Sequence, residues 1–210
     1  MAQAEVLPRS QQRTSGRPGD PCIMVIFGAA GDLTRRKLIP ALYNLARAEL
    51  LPREFAILGV AHNPMREEDF RGKLSEAVHK YAGKEIDSDI WTWFAQRLYY
   101  ITAEFDDKEL YNKLKTTLAK LDKDHATRGN YFFYLATAPD FFGPIVEQLA
   151  AAGLMDEGSD HHWRRVIVEK PFGHDLESAK ALNQRLLKVA SEKQIYRIDH
   201  YLGKETVQNI

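Results

Sequence analysis

The sequence has very little cysteine and no long apolar run. Cys22 is its single cysteine, so the chain cannot form an internal disulfide or a cysteine-rich metal site, which favours a reducing cytoplasm. No run of about 18 or more apolar residues occurs, and residues 1–20 lack the apolar stretch of a secretory signal. We therefore expect no membrane span and no export.

The chain also has a formal net charge of zero at pH 7. The 29 Lys and Arg residues balance the 29 Asp and Glu residues, so the chain lacks the excess positive charge typical of nucleic-acid-binding proteins. The histidines have no spacing typical of metal ligands, and neither a P-loop nor a Gly-x-Ser-x-Gly elbow is present. We therefore expect no nucleic-acid partner and no metal. The absence of the two motifs argues against the common classes of NTPase and hydrolase.

The length of 210 residues suffices for one full domain and the start of another. Residues 1–20 mix Gln, Arg, Ser, Gly and Pro with little that packs, which predicts a disordered N-terminal arm. The sequence stops at Ile210 without a helix-ending signal, and we expect a truncated polypeptide.

Short apolar runs and longer amphipathic segments alternate from residue 21 to residue 198. Parallel strands need long crossovers, so this pattern predicts an α/β fold with a doubly wound, mostly parallel, Rossmann-like sheet. Pro40 falls inside the first predicted helix and should kink or break it. The predicted strands cover residues 23–27, 55–60, 99–101, 131–136, 165–169 and 195–198, and the predicted helices cover residues 32–49, 67–80, 87–96, 106–123, 144–152 and 176–190.

A glycine turn, Gly28-Ala29-Ala30-Gly31-Asp32, joins the first strand directly to the first helix. Small residues let phosphates approach the backbone, and the start of a helix supplies free N–H groups and a positive dipole end. The spacing is G-x-x-G rather than the fuller G-x-G-x-x-G, but its place between strand and helix predicts a dinucleotide-binding domain over residues 21–198. The alternative is a merely tight turn.

The end of the second strand bears on the choice between NADP and NAD. An acidic residue there would accept hydrogen bonds from the ribose 2′-hydroxyl and repel a 2′-phosphate, but the sequence reads Ala61-His62-Asn63-Pro64. His62 and Asn63 can donate hydrogen bonds to a phosphate, and Arg35, Arg36 and Arg66 are close in sequence. We predict NADP, with NAD possible. The alternative for His62 is an ordinary turn residue.

Polar segments also follow the fifth and sixth predicted strands, where ligands gather in open α/β sheets. The first of these segments is Glu169-Lys170-Pro171-Phe172-Gly173. Pro171 favours either an extended backbone at Lys170 or a cis peptide bond, and either geometry would direct the Lys170 ammonium into the crevice. The alternative is that Lys170 is an ordinary surface charge. Asp199-His200-Tyr201-Leu202-Gly203-Lys204 groups an imidazole, a phenol and an ammonium that can surround a phosphate monoester. The alternative there is a polar interdomain loop.

Three segments together resemble the glucose-6-phosphate dehydrogenase family. They are Gly28 to Leu33 with Arg36-Lys37-Leu38 after it, the Glu169 to Gly173 segment, and Arg197 to Glu205. They occur in the family's order, and the resemblance covers about residues 22–210.

The resemblance implies a role for each matching residue. By the resemblance, Lys170 would contact both substrate and nicotinamide, and Asp199 would pair with the catalytic histidine. The sugar phosphate would be held by His200, Tyr201 and Lys204. Asp199 and Lys170 are therefore the expected catalytic residues. The implied cofactor-binding residues are Gly28, Ala29, Ala30, Gly31, Asp32, Leu33, Thr34, Arg35, His62 and Lys170.

The implied family reaction belongs to the pentose phosphate pathway. A histidine removes the C1 hydroxyl proton of glucose 6-phosphate while hydride passes to NADP, giving 6-phosphogluconolactone. The resemblance also implies a homo-oligomer for the full-length enzyme.

The sequence departs from the family in two respects. His62 stands where the family usually has an arginine that grips the 2′-phosphate, which puts strict NADP preference in doubt. The family's catalytic histidine lies in a second, α+β domain, of which residues 199–210 would be only the start, so we expect this chain alone to be inactive. Two other interpretations stay open: a sugar oxidoreductase whose Glu-Lys-Pro lysine is directly catalytic, and a non-catalytic nucleotide-binding module.

Overall fold

A computed structural model describes residues 16–83, 85–158 and 162–198, and it contains a six-stranded parallel sheet. The strand order is β3-β2-β1-β4-β5-β6, so β1 and β4 are central neighbours and the order reverses between them. Such a reversal opens a crevice outside the carboxyl ends of the strands. The strands are β1 (Cys22–Phe27), β2 (Phe55–Ala61), β3 (Leu98–Thr102), β4 (Tyr131–Leu135), β5 (Arg164–Glu169) and β6 (Ile195–Ile198).

Helices cover both faces of the sheet, which confirms the predicted doubly wound architecture. Because side chains alternate along a strand, β1 sends Val25 to one core and Ile26 to the other, and both are fully buried. The helices are α1 (Ile39–Arg47), α2 (Glu67–Tyr81) and α3 (Ser88–Ala95) on one face, and α4 (Lys108–His125), α5 (Phe142–Ala151) and α6 (Leu176–Leu187) on the other.

The first predicted helix is interrupted, as Pro40 predicts. Residues Thr34–Leu38 form a π-helical turn, in which the Ile39 N–H donates to the Thr34 carbonyl five residues earlier, and α1 follows. Pro40 then lies in the first turn of α1, where its missing N–H costs no intrahelical hydrogen bond. The wide turn lies directly after the glycine turn.

Side-chain caps explain why other helices begin later than predicted. The Asp107 carboxylate accepts a hydrogen bond from the Glu109 N–H at 2.9 Å, so α4 starts at Lys108 rather than at residue 106. The far end of α4 extends to His125 and ends at Ala126, which adopts a left-handed conformation with φ +53°.

Part of the sheet lies open on the α1 side, because no helix covers β5 and β6 there within the described residues. A cavity of about 600 Å³ runs along it, with Phe132, Ile167 and Tyr196 among its lining residues. Cys22 also lines this cavity, and burial raises the pKa of its thiol to about 12. A thiol with so high a pKa is unreactive at neutral pH.

No helix within the described ranges is both long enough and apolar enough to cross a bilayer. Residues 16–20 are exposed, and the Gly19 N–H donates to the Leu50 carbonyl at 3.1 Å. The rest of the predicted N-terminal arm, residues 1–15, lies outside the described part of the chain.

Truncating a core residue of α4 tests the packing on the face of the sheet that α4, α5 and α6 cover. Leu118 is fully buried, so Leu118→Ala should lower the free energy of unfolding by about 2–5 kcal/mol through lost burial and a cavity. Lys120→Ala, at an exposed position of the same helix, should change it by less than about 0.5 kcal/mol. Urea unfolding monitored by circular dichroism measures both, and equal midpoints for the two variants would contradict the assigned packing.

Candidate functional site

The glycine turn is fixed by the strands on both sides of β1. The N–H groups of Gly28 and Ala29 both donate to the Val60 carbonyl at the end of β2, at 2.9 and 3.1 Å. On the other side, a Cβ added to Gly28 would lie 2.2 Å from the Ala136 carbonyl oxygen, and the φ of Gly28 is +86°. Only glycine fits both the close approach and the backbone conformation at this position.

Thr34, in the helix that follows, also stabilises the turn. Its side chain is fully buried, and its hydroxyl donates to the Gly28 carbonyl at 3.2 Å, beside the Gly31 N–H that donates to the same oxygen at 2.9 Å. Among the described residues, the Ala30 N–H is not a donor in these turn hydrogen bonds. That N–H and the first amides of the helix form the type of backbone group that binds phosphate.

Charged side chains surround the start of the helix. Arg35 donates to the Asp32 carboxylate at 2.6 Å, and Arg36 lies 3.8 Å from the same carboxylate. The hydrogen bond from Arg35 lowers the pKa of Asp32, whose charge also suits the positive end of the helix dipole. Leu33, which follows Asp32 in the sequence, is half-buried and packs against the core on the face of the sheet that α1 covers.

A cavity of about 240 Å³ opens beside the glycine turn, where β1 and β2 end. The Asn63 backbone is held there by the Tyr100 hydroxyl, which donates to its carbonyl at 2.8 Å. His62 is exposed and is not among the lining residues. Those residues include two cations and no acid: Ala29, Ala30, Arg35, Asn63, Pro64, Met65, Phe70, Lys73 and Leu74.

The residues of the turn and cavity fit a dinucleotide. The glycine turn brings backbone amides to the surface, and the adjoining cavity pairs an apolar wall of Met65 and Phe70 with the cations of Arg35 and Lys73. An adenosine with a phosphorylated ribose needs both kinds of surface. Among the described residues no cluster of His, Cys, Asp and Glu side chains could hold a metal ion.

The second candidate segment lies two strands away, at the end of β5. The Lys170–Pro171 peptide bond is cis, one of the two geometries that the sequence favours, and Lys170 is exposed. A Cβ added to Gly173 would lie 2.4 Å from the Ala179 backbone nitrogen, so the loop after Pro171 lies tightly against α6. This packing attaches the segment after Lys170 to the start of α6.

The structure adds a hydrogen bond that sequence reasoning missed. The buried Tyr134 hydroxyl on β4 donates to the Glu169 carboxylate, next to Lys170. Tyr134 is paired in register with Ile167, so Glu169 lies two residues further along the same face. Burial, and then the hydrogen bond to Glu169, raise the pKa of Tyr134 far above its ordinary value. The two residues are 35 positions apart, so only the strand register could have revealed the pair.

The remaining predicted site residues, Asp199, His200, Tyr201 and Lys204, lie outside the described residues. The chain reaches them from Ile198, the last residue of β6, which is paired in register with Glu169. The predicted roles of the other site residues stay predictions, including the donor role of His62.

Comparisons with known proteins agree on one family. Residues 25–209 match the model of the family described as glucose-6-phosphate dehydrogenase, NAD binding domain. A glucose-6-phosphate 1-dehydrogenase from Chlamydia pneumoniae is 48% identical over 198 residues, covering 93% of this chain and 39% of that protein.

Solved structures give the same result. The crystal structure of a glucose-6-phosphate 1-dehydrogenase from Mycobacterium avium matches with a TM-score of 0.75 and 39% identity, covering 91% of this chain and 38% of that one. A glucose-6-phosphate dehydrogenase in complex with its substrate glucose-6-phosphate matches with a TM-score of 0.78 and 34% identity, covering 93% of this chain and 40% of that one. The chain thus spans about two fifths of the length of these relatives.

The glycine turn can be tested by adding one methyl group. Gly28→Ala should lower the free energy of unfolding by more than about 2 kcal/mol, because φ is positive and the Cβ would overlap the Ala136 carbonyl. Gly19→Ala is the control, since a Cβ there would meet nothing within 4 Å. Chemical unfolding measures both variants, and a Gly28→Ala protein as stable as the control would refute this geometry.

The Tyr134–Glu169 hydrogen bond predicts a specific pH dependence. Removing the hydroxyl in Tyr134→Phe should cost about 1–3 kcal/mol of stability near pH 8, because Glu169 loses a buried donor. The pKa of Tyr134 is raised in the folded state, so above about pH 10 the unfolded chain loses the phenolic proton first and the wild type loses stability.

The difference in unfolding free energy between wild type and Tyr134→Phe should therefore shrink as the pH rises from about 10 to about 11.5, above the ordinary pKa of the phenol. Urea unfolding at several pH values measures that difference. Tyr196→Phe, at an exposed position on β6, serves as the control. A difference that stays constant over this range would contradict the assignment.

Proposed function

The chain belongs to the glucose-6-phosphate dehydrogenase family, and we propose that it is the NADP-binding part of an enzyme that oxidises glucose 6-phosphate at C1. The observation that carries the nucleotide assignment is the Gly28 turn, held between the Val60 and Ala136 carbonyls at the start of a helix. In this proposal the pyrophosphate lies against the backbone of residues 28–35. Residues 21–198 form the dinucleotide-binding domain, and residues 199–210 begin the next.

NADP is the proposed cofactor, with NAD as a weaker ligand. No acidic side chain follows β2 or lines the neighbouring cavity, so nothing there repels a 2′-phosphate as an acid would. Arg35 and Lys73 give that cavity a positive charge. Asn63, which lines the cavity, and the exposed His62 next to it in the sequence are proposed donors to the 2′-phosphate.

Lys170 is the proposed contact between cofactor and substrate. It directly follows β5, and the neighbouring Glu169 accepts a hydrogen bond from Tyr134. An ammonium at this edge can donate to a sugar hydroxyl and thereby orient C1 toward the nicotinamide. When bound, NADP accepts the hydride that leaves C1.

The proposed substrate contacts continue after β6. His200, Tyr201 and Lys204 would hold the phosphate of glucose 6-phosphate, and Asp199 would orient the histidine that removes the C1 hydroxyl proton. The family resemblance implies that this histidine lies in a second domain, beyond the residues of this chain. We propose a cytoplasmic homo-oligomer for the whole enzyme, and for the 210-residue chain nucleotide binding without turnover.

Titration of the purified chain tests this proposal directly. Isothermal titration calorimetry should show saturable binding of NADP that is tighter than that of NAD, while NADPH formation from glucose 6-phosphate stays at the buffer rate. The Gly28→Ala protein, studied where it is still folded, should bind NADP more weakly because its turn is displaced. Absence of saturable binding, or ready turnover by the chain alone, would refute the proposal.

A further inference from the structure

The sequence does not show which cation would bind the 2′-phosphate of NADP, because His62 stands where the resemblance leads us to expect an arginine. His62 is exposed and does not line the cavity beside the glycine turn. An imidazole also offers a phosphate fewer N–H donors than a guanidinium or an ammonium does. Another basic residue should therefore supply most of the charge.

Two of the three nearby arginines are engaged elsewhere. Arg66 makes a two-point ion pair with Asp69, at 3.0 and 3.1 Å, and also lies 3.7 Å from Glu68. Arg36 lies 3.8 Å from Asp32, and its guanidinium is 5.5 Å from the centre of the Tyr81 ring. Neither arginine lines the cavity.

Arg35 and Lys73 remain, and both line the cavity. Arg35 shares one guanidinium nitrogen with Asp32 at 2.6 Å, which leaves further N–H donors on the same group. Lys73 comes from α2, between the cavity-lining residues Phe70 and Leu74. Within the described residues no hydrogen bond or ion pair engages its ammonium, and the Asp69 carboxylate one turn earlier on α2 accepts its hydrogen bonds from Arg66.

Packing between α2 and the turn fixes the position from which Lys73 reaches into the cavity. A Cβ added to Gly59 of β2 would lie 2.7 Å from the Ala29 side chain and 2.8 Å from the Phe70 ring, so helix and turn both approach β2 closely. The Phe70 ring also packs on Tyr100, with ring centres 4.7 Å apart. The base of α2 is therefore rigid, while the exposed end of Lys73 can adjust to a ligand.

We infer that Lys73, acting together with Arg35, binds the 2′-phosphate of NADP and sets the preference of this chain for NADP over NAD. This inference rests on the proposed nucleotide site and adds a specificity-determining residue to it. A 2′-phosphate carries charge that the 2′-hydroxyl of NAD lacks, so an ammonium at this position discriminates between the two cofactors.

Lys73→Met keeps the aliphatic stem and removes only the charge, which makes it the main test. Its dissociation constant for NADP should rise about tenfold, with that for NAD changed less than about twofold. The same contrast should appear between adenosine 2′,5′-bisphosphate and 5′-AMP, which isolate the adenosine half. Lys80→Met, on the same helix but outside the cavity lining, is the matched control. Isothermal titration of the purified chain measures all four ligands.

The outcomes separate this inference from the proposed function. Wild type that binds neither dinucleotide refutes the nucleotide site itself, and with it the role of Lys73. Wild type that prefers NADP, with the preference intact in Lys73→Met, refutes only the role of Lys73. A wild type that binds NADP and NAD equally also overturns the inference. Raised salt should reduce the wild-type preference, because screening weakens an exposed ion pair.

Discussion

Gly28 is the position on which the candidate site depends most. Its N–H donates to the end of β2, and its missing side chain lets β4 approach from the other side. The turn is thereby attached to both neighbours of β1, and Thr34 adds a third connection from inside the helix. A turn held in this way presents the Ala30 N–H and the first amides of the helix in one arrangement before any ligand arrives, which reduces the entropy lost on binding.

The two candidate segments are built differently, although both lie at the carboxyl edge of the sheet. The turn after β1 offers backbone groups and a helix start, which suit a pyrophosphate. The segment after β5 offers side chains, with Lys170 beside a Glu169 carboxylate that Tyr134 holds. The end of β4 contributes to both, because Ala136, the residue after the strand, packs against the first and Tyr134 donates a hydrogen bond in the second.

Much of the fold was readable from the sequence, because apolar runs such as residues 23–27 and 55–60 differ clearly from the amphipathic segments between them. The glycine turn was readable as well, since its residues are adjacent in the chain. The Tyr134–Glu169 hydrogen bond and the place of Lys73 were not, because each depends on strand register or helix packing between distant residues. Helix starts were misplaced by a few residues where a cap such as Asp107 decides the boundary.

The π-helical turn at Thr34–Leu38 has a consequence for how this protein can vary. Such a turn accommodates one residue more than an α turn, as a single-residue insertion would produce. Each residue of an α-helix rotates the following side chains by about 100°, so the extra residue offsets the two halves of the helix from each other. The buried Thr34, which binds the Gly28 carbonyl, and Tyr43, which packs in the core, therefore belong to two helical segments whose side-chain directions are offset from each other.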